Sequence, residues 1–312
     1  MFKNNLVPYT STKLIALDHN LDEMIKLYDS GVFPKVFLFS GKKGIGKFTL
    51  IFHFLNYVYS KKENTSYNTK EKVIDINSNF YKSILNQTCS DVIFFKAEEG
   101  KNIKIDDIRK LKSILSNSSL SKNPRFIIID EVEFLNSNSA NALLKTLEEP
   151  GNNNYFILVN NQQANLIDTV SSRCLKNNIY LNDKQRNKIV DYLVKNKNIN
   201  LLINYRSLTP GLLLDYNDLF NKHKIKDTDY ILLTLKKLLP AFKKDKNKTI
   251  INMSVFLIDE FFYNLIKENK NKIDFLLKHK SSIVNKINEF IIYNLNINSV
   301  LNSIELNLKN VR

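Results

Sequence analysis

The sequence predicts an α/β fold, in which a doubly wound parallel sheet is followed by helices alone. Three observations predict it. An apolar, strand-like run at residues 36–39 leads into a glycine-rich loop and then a helical pattern. Short apolar runs alternate with helical patterns up to about residue 180, and only helical patterns follow residue 182. Because alternating strands and helices connect through right-handed crossovers, the strands are expected to run parallel.

The glycine-rich loop at residues 41–49 (GKKGIGKFT) has the pattern of a phosphate-binding P-loop. Backbone N–H groups of such a loop form an anion nest, and the helix that follows adds its positive N-terminal potential. Lys47 would supply the charge that reaches the β- and γ-phosphates, so ATP is the cofactor that this loop would hold. The candidate cofactor-binding residues are Gly41, Gly44, Gly46, Lys47, Thr49 and Asn160.

The loop departs from the P-loop pattern at Phe48, where the motif requires serine or threonine. A phenyl ring cannot ligate Mg²⁺ as a hydroxyl group does. Thr49 comes one residue late and points roughly 100° away on a helix. We therefore expect a degenerate nucleotide site, assign no metal ligand, and leave open whether Mg²⁺ binds.

Residues 125–131 (RFIIIDE) predict a central strand that ends in two acids. A continuous β-branched run is typical of a strand buried on both faces, and the carboxyl edge of such a sheet holds ligands. In P-loop enzymes Asp130 would hold Mg²⁺ and Glu131 would activate water, although both could merely cap the strand. Asn160 ends the next strand, where its amide either orients a water or γ-phosphate or forms a turn.

The length of 312 residues exceeds the size at which one hydrophobic core stops growing. We expect a nucleotide-binding-type domain at residues 1–180, a helical lid at 181–222 and a helical terminal domain at 223–312. No apolar run near the ~18 residues of a membrane span is apparent. Two cysteines fit a reducing cytoplasm, so a cytoplasmic location is expected.

The net charge of +15 comes almost entirely from lysine, since only six residues are arginine. Most of these lysines are interpreted as solvated surface residues that would contribute modestly to binding a polyanionic partner. Each arginine is in turn a better candidate for a geometric role that lysine cannot fill.

Two short motifs carry a family resemblance. Residues 141–150 (NALLKTLEEP) follow the Asp130–Glu131 pair, and residues 172–174 (SRC) lie further on. In these motifs the chain resembles the bacterial clamp-loader subunits of DNA polymerase III. The loop at 44–47, with no hydroxyl residue next, looks more like the delta prime subunit than the gamma/tau motor.

The resemblance implies an AAA+ module, a helical lid and a collar domain that closes a ring. It implies gamma/tau and delta subunits as partners, with the sliding clamp and primer-template DNA, and no membrane. The chain would then be part of the DNA-directed DNA polymerase holoenzyme. In the family, the arginine that matches Arg173 is an arginine finger, which contacts ATP on a neighbouring subunit.

The departures from the family pattern separate two hypotheses. The four cysteines of the family's zinc module are missing from residues 61–90, so we expect no zinc, and Leu212 follows Pro210-Gly211 where the family often has a nucleotide-sensing arginine. The leading hypothesis is a delta prime subunit with little or no ATPase of its own. The alternative is a gamma/tau-like motor in which Thr49 or water replaces the missing ligand.

Overall fold

The computed structural model describes residues 10–61, 63, 67–96, 103–116, 123–203, 205–226 and 229–311. The chain divides into two compact units. The first comprises residues 1–200 and 205–212, and the second comprises residues 201–204 and 213–312. The expected three-part division, with a separate lid, stays a prediction.

The first unit is built on a five-stranded sheet in the order β2-β3-β4-β1-β5. All of its pairings are parallel, and β1 lies between β4 and β5. This confirms the predicted α/β fold class, a parallel sheet domain with a glycine-rich loop, followed by helices. The strands are β1 (Val36–Ser40), β2 (Val92–Lys96), β3 (Arg125–Asp130), β4 (Asn154–Asn160) and β5 (Leu175–Asn178).

Twelve α-helices occur in the described residues, and two short 3₁₀ segments lie at Val132–Phe134 and Lys270–Lys272. The helices are α1 (Asp18–Asp29), α2 (Lys47–Ser60), α3 (Asn79–Leu85), α4 (Ile105–Ser116), α5 (Ser137–Glu148), α6 (Asp168–Ser171), α7 (Asp183–Lys197), α8 (Pro210–Lys222), α9 (Ile231–Asp245), α10 (Lys248–Glu268), α11 (Ile273–Tyr293) and α12 (Ile297–Asn310).

Both faces of the sheet are covered. One hydrophobic cluster joins the sheet to α1, α2 and α3, and a second joins the other face to α4 and α5. Alternate side chains of β3 belong to opposite clusters, as the continuous apolar run predicted. Phe126 and Ile128 face the first cluster, whereas Ile127 and Ile129 face the second. The central strands β1, β3 and β4 are therefore buried on both faces.

Three local features differ from the sequence expectations. Strand β5 was not predicted, because its sequence (LKNN) is polar and it occupies an exposed edge. Helix α3 lies within residues 61–90, where a polar sequence with little periodicity predicts an irregular surface segment, and Ser78 caps it by accepting a hydrogen bond from the N–H of Tyr81. The sequence also predicts a helix at residues 201–205, which is wrong for the described residues, where Leu202 donates its N–H to Asn217 Oδ1 at 2.7 Å.

The second unit contains α9 to α12, and each of these helices has buried apolar residues. Helix α9 continues through Pro240, which is exposed, although proline removes one helical hydrogen bond. Helix α10 is long and apolar enough to cross a membrane by length and composition, contrary to the expectation that no such stretch exists. It is weak evidence for a span, because seven of its residues are buried in the unit itself.

Candidate functional site

The glycine-rich loop joins β1 to α2 and has the backbone geometry of an anion nest. Gly46 caps α2 with φ 99° and ψ 14°, a left-handed conformation that other residues rarely adopt. The N–H groups of the first turn of α2 therefore lie at the carboxyl end of the sheet. Gly41 donates its N–H to the carbonyl oxygen of Asn160 at 3.2 Å, which ties the loop to β4. The loop has the shape to cradle a phosphate group.

Lys47 turns its ammonium group back into its own loop. Its Nζ donates to the carbonyl oxygens of Gly41 at 2.6 Å and Lys42 at 2.9 Å, and the residue is only 3% exposed. Burial lowers the pKa of Lys47 from 10.5 to about 8, against the opposing effect of Asp130 and Glu133. Lys47 is thus charged at neutral pH, and a bound phosphate would have to replace these two carbonyl contacts.

The lowered pKa of Lys47 predicts how stability depends on pH. Between pH 8 and 10.5 the unfolded chain binds more protons than the folded chain, so the free energy of unfolding rises with pH. From pH 7 to pH 9.5 the gain should be about 2 kcal/mol. Urea unfolding followed by circular dichroism at the two pH values measures it. The Lys47→Met variant should lack this gain, and an equal gain in both chains would contradict the assignment.

Asp130 and Glu131 end β3 and are paired with lysines on two sides. The Nζ of Lys43, in the glycine-rich loop, lies 3.1 Å from Glu131 Oε1. The Nζ of Lys96, at the end of β2, lies 3.7 Å from Asp130 Oδ2 and 3.6 Å from Glu131 Oε1. Glu131 is buried and has a positive φ of 58°. The two acids thus lie beside the glycine-rich loop, and Glu131 forms an ion pair with Lys43 of that loop.

The two asparagines at the end of β4 have different partners. Asn160 Nδ2 donates to Ser40 Oγ at 3.1 Å, and its Oδ1 accepts the N–H of Gln162 at 2.8 Å. Asn161 Nδ2 instead donates to Asp130 Oδ1 at 3.0 Å. The proposed cofactor-binding residue Asn160 therefore forms turn contacts, and Asn161 is the amide that reaches the acids. Sequence reasoning could not choose between them, because adjacent side chains at a strand end point to different faces.

Glu133 is a third acid at this edge, which the sequence analysis did not single out. It is buried, and its Oε1 accepts the N–H of Asn161 at 3.0 Å. Burial raises the pKa of Glu133, against the effect of backbone hydrogen bonds. No group of three or more His, Cys, Asp or Glu within the described part of the chain is arranged to hold a metal ion.

Phe48 fills the position of the missing hydroxyl with an aromatic contact. Its ring packs against that of Phe94 on β2, with 5.5 Å between the ring centroids. Thr49 is half-buried, one residue further along α2. The residues present fit a phosphate group, but the side chain at position 48 cannot ligate Mg²⁺.

The start of α8 packs directly on the glycine-rich loop. Thr209 Oγ1 donates to the carbonyl oxygen of Lys43 at 2.6 Å, and the N–H of Gly211 donates to the carbonyl oxygen of Gly44 at 2.8 Å. A Cβ on Gly44 would lie 2.6 Å from Thr209 Oγ1 and 2.8 Å from the nitrogen of Leu212. Glycine is therefore required at position 44 because the segment at residues 209–212 packs closely against it. This requirement is separate from any contact with a phosphate group.

Arg186, on α7, holds the segment that leads into this contact. Its Nε donates to the carbonyl oxygen of Leu208 at 2.6 Å, and its Nη2 donates to that of Tyr205 at 2.8 Å. The residue is buried, and burial lowers its pKa. This confirms for Arg186 the expectation that the few arginines take geometric roles.

Arg173 follows α6 and is anchored to two neighbouring elements. Its Nε and Nη2 each lie 2.6 Å from Glu148 Oε1, at the end of α5. Its Nη1 donates to the carbonyl oxygen of Thr169 at 2.8 Å. The two family motifs, residues 141–150 and 172–174, are therefore joined through this ion pair.

Residues 17–182 match the sequence model of a protein family described as "DNA polymerase III, delta subunit". Among curated relatives, DNA polymerase III subunit delta' of Pseudomonas aeruginosa is 32% identical over 90 residues, 28% of this chain and 27% of that protein. The delta' subunit of Haemophilus influenzae is 37% identical over 75 residues, 24% of this chain and 23% of that protein.

Subunits of another name also match. DNA polymerase III subunit tau of Bacillus subtilis is 32% identical over 145 residues, 46% of this chain and 24% of that protein. The chain thus spans about a quarter of the length of these three relatives. The structure of a gamma subunit-related protein of Thermotoga maritima aligns with 94% of this chain and 99% of its own chain. The sequence identity is 20% and the TM-score is 0.48.

Proposed function

Because the chain belongs to the DNA polymerase III delta subunit family, which matches more than half of it, we propose that it is a delta prime subunit of the clamp loader. In this role it is a ring subunit that helps to load the sliding clamp on primed DNA. It supplies Arg173 as an arginine finger to the ATP site of a neighbouring subunit.

One observation carries the proposal: Phe48 stands, packed on Phe94, where a nucleotide-hydrolysing P-loop needs its Mg²⁺ ligand. Two contacts add support. Lys47 is bonded to carbonyl oxygens of its own loop, and Glu131 is paired with Lys43. An ATP molecule would have to break both arrangements before Lys47 could reach its phosphates or Glu131 could activate water. Asp130, Glu131 and the loop glycines then form a nucleotide site that is retained in sequence but hydrolyses little ATP.

The exposed guanidinium of Arg173 supports the second half of the proposal. A guanidinium donates two parallel hydrogen bonds to phosphate oxygens and neutralises charge in the transition state. Such a group serves a neighbour's ATP only from the protein surface, and Arg173 is partly exposed there. Its partners in the assembly would be the gamma/tau and delta subunits, with the sliding clamp and primer-template DNA, in the cytoplasm.

A second candidate function is an ATP-hydrolysing motor of the gamma/tau type. It is favoured by the longer match to the tau subunit and by the presence of Lys47, Asp130 and Glu131. In that case Thr49 or a water molecule would complete the magnesium shell. Degenerate ATP binding without turnover would lie between the two candidates.

Turnover of ATP by the isolated chain separates the two candidate functions. With Mg²⁺ and ATP present, we expect hydrolysis no faster than in the Lys47→Met variant, because no hydroxyl at position 48 holds the metal. Release of labelled phosphate measures the rate, and fluorescent ATP reports binding in the same samples. Turnover that Lys47→Met abolishes would favour the motor and contradict the delta prime proposal.

A further inference from the structure

The ion pair between Arg173 and Glu148 fixes one edge of the guanidinium. Both Nε and Nη2 lie 2.6 Å from the same carboxylate oxygen, Oε1. The Thr169 carbonyl takes a hydrogen bond from Nη1 on the other side. All three nitrogens of a long, flexible side chain are therefore engaged by protein atoms on two different helices, α5 and α6.

These contacts leave part of the guanidinium available. An arginine carries five N–H donors in a planar fork. The contacts to Glu148 and Thr169 use one donor on each nitrogen, so that Nη1 and Nη2 each keep one further N–H. Arginine binds phosphate oxygens through N–H groups of this kind.

We propose that Glu148 is a positioning residue for Arg173: it holds the guanidinium so that its two remaining N–H groups are presented to the phosphate oxygens of ATP on an adjacent subunit. The inference rests on the proposed function of Arg173 and extends it to a residue of the other family motif. Glu148 itself touches no substrate. An unanchored arginine would lose conformational entropy when it binds the phosphate. The contact with Glu148 restricts the side chain beforehand, so that this entropy cost is smaller.

The ion pair is too exposed to be explained by stability. Glu148 is 49% and Arg173 is 33% exposed at the side chain, and exposed pairs of this kind contribute little to folding. The next residue, Glu149, provides a matched control. It is exposed on the same helix end, and the ion pairs found among the described residues include none from it. Removal of either carboxylate should leave the fold intact.

The test is a double-mutant cycle in the assembled clamp loader with clamp and primed DNA. Single-turnover ATP hydrolysis, which separates the affected site from the other ATP sites, is measured over a range of concentrations for Glu148→Ala, Arg173→Ala and the double variant, with Glu149→Ala as the control. We expect Glu148→Ala to lower the maximal rate of hydrolysis at that site about 10-fold without a matching change in the half-saturating concentration, because only the orientation of the finger is lost. Glu148→Gln, which keeps one acceptor oxygen, should be intermediate, and Glu149→Ala should match the wild type.

The double variant should be no slower than Arg173→Ala alone, because Glu148 acts only through that side chain. Urea midpoints of each chain establish that the variants are folded. An unchanged or faster rate in Glu148→Ala, while Arg173→Ala is slow, would overturn the positioning role alone. An additive double variant would do the same. A normal rate in Arg173→Ala would overturn the proposed function, and the positioning role with it.

Discussion

Replacement of Arg173 by alanine is expected to slow ATP hydrolysis at the adjacent subunit by a factor of about 10³–10⁵ in kcat. The γ-phosphoryl group gains charge on its equatorial oxygens in the transition state, and the guanidinium neutralises that charge in a water-poor interface. The residue is anchored at the surface by Glu148 and Thr169, so that no buried contact of this chain depends on it. Assembly of the ring should therefore be unaffected.

The measurement is single-turnover hydrolysis in the reconstituted complex, because the other ATP sites would mask the loss in a total rate. Arg109→Ala is the matched control. Arg109 lies on α4 and, within the described residues, pairs with Asp106, three residues earlier, in an exposed ion pair. Its loss should leave hydrolysis unchanged. A full rate for Arg173→Ala, or an equal loss for Arg109→Ala, would remove the support for an arginine finger.

Replacement of Phe126 by alanine should destabilise the sheet unit by about 3–5 kcal/mol. Phe126 lies on β3, is 0% exposed, and its ring lies in a cluster of aromatic side chains. Truncation would leave a cavity that close-packed neighbours fill only in part. The rings within 6.4 Å of it, between centroids, are those of Tyr28, Phe33, Phe54, Tyr59 and Tyr155.

Urea unfolding followed by far-ultraviolet circular dichroism tests this prediction. Tyr180→Ala is the control within the same unit, because Tyr180 is 71% exposed and its truncation should cost less than about 0.5 kcal/mol. A shift of the Phe126→Ala midpoint no larger than that of Tyr180→Ala would show that the aromatic cluster does not stabilise this face of the sheet.

The sheet could be predicted because its central strands are buried on both faces. The runs inside β1, β3 and β4, at residues 36–39, 126–129 and 155–159, are apolar, and each strand is followed by a turn and a helix, which gives their type and direction. Strand β5 could not be found in this way. Its residues are polar, and it exists because the backbone of β1 offers unpaired groups at the sheet edge, which is a tertiary effect.

The sequence indicates which residue types form the candidate site, but it does not indicate which side chains contact one another. The loop glycines, Lys47 and the acid pair follow from motif spacing, and the structure brings them together. The partners of each side chain could not be inferred, because they come from distant parts of the chain. Thr209 reaches the loop from the residue before α8, and Glu148 reaches Arg173 across 25 residues. Burial of Lys47 is a further consequence of packing that spacing does not reveal.

The central claim is that this chain contributes an arginine, and no hydrolysing P-loop, to the assembled clamp loader. The most direct test compares single-turnover ATP hydrolysis in complexes that contain either the Lys47→Met or the Arg173→Ala chain. We predict that the complex with Lys47→Met hydrolyses ATP at the wild-type rate, whereas Arg173→Ala abolishes hydrolysis at one site. The reverse result, a lost site with Lys47→Met and a normal rate with Arg173→Ala, would show that the chain is a motor subunit.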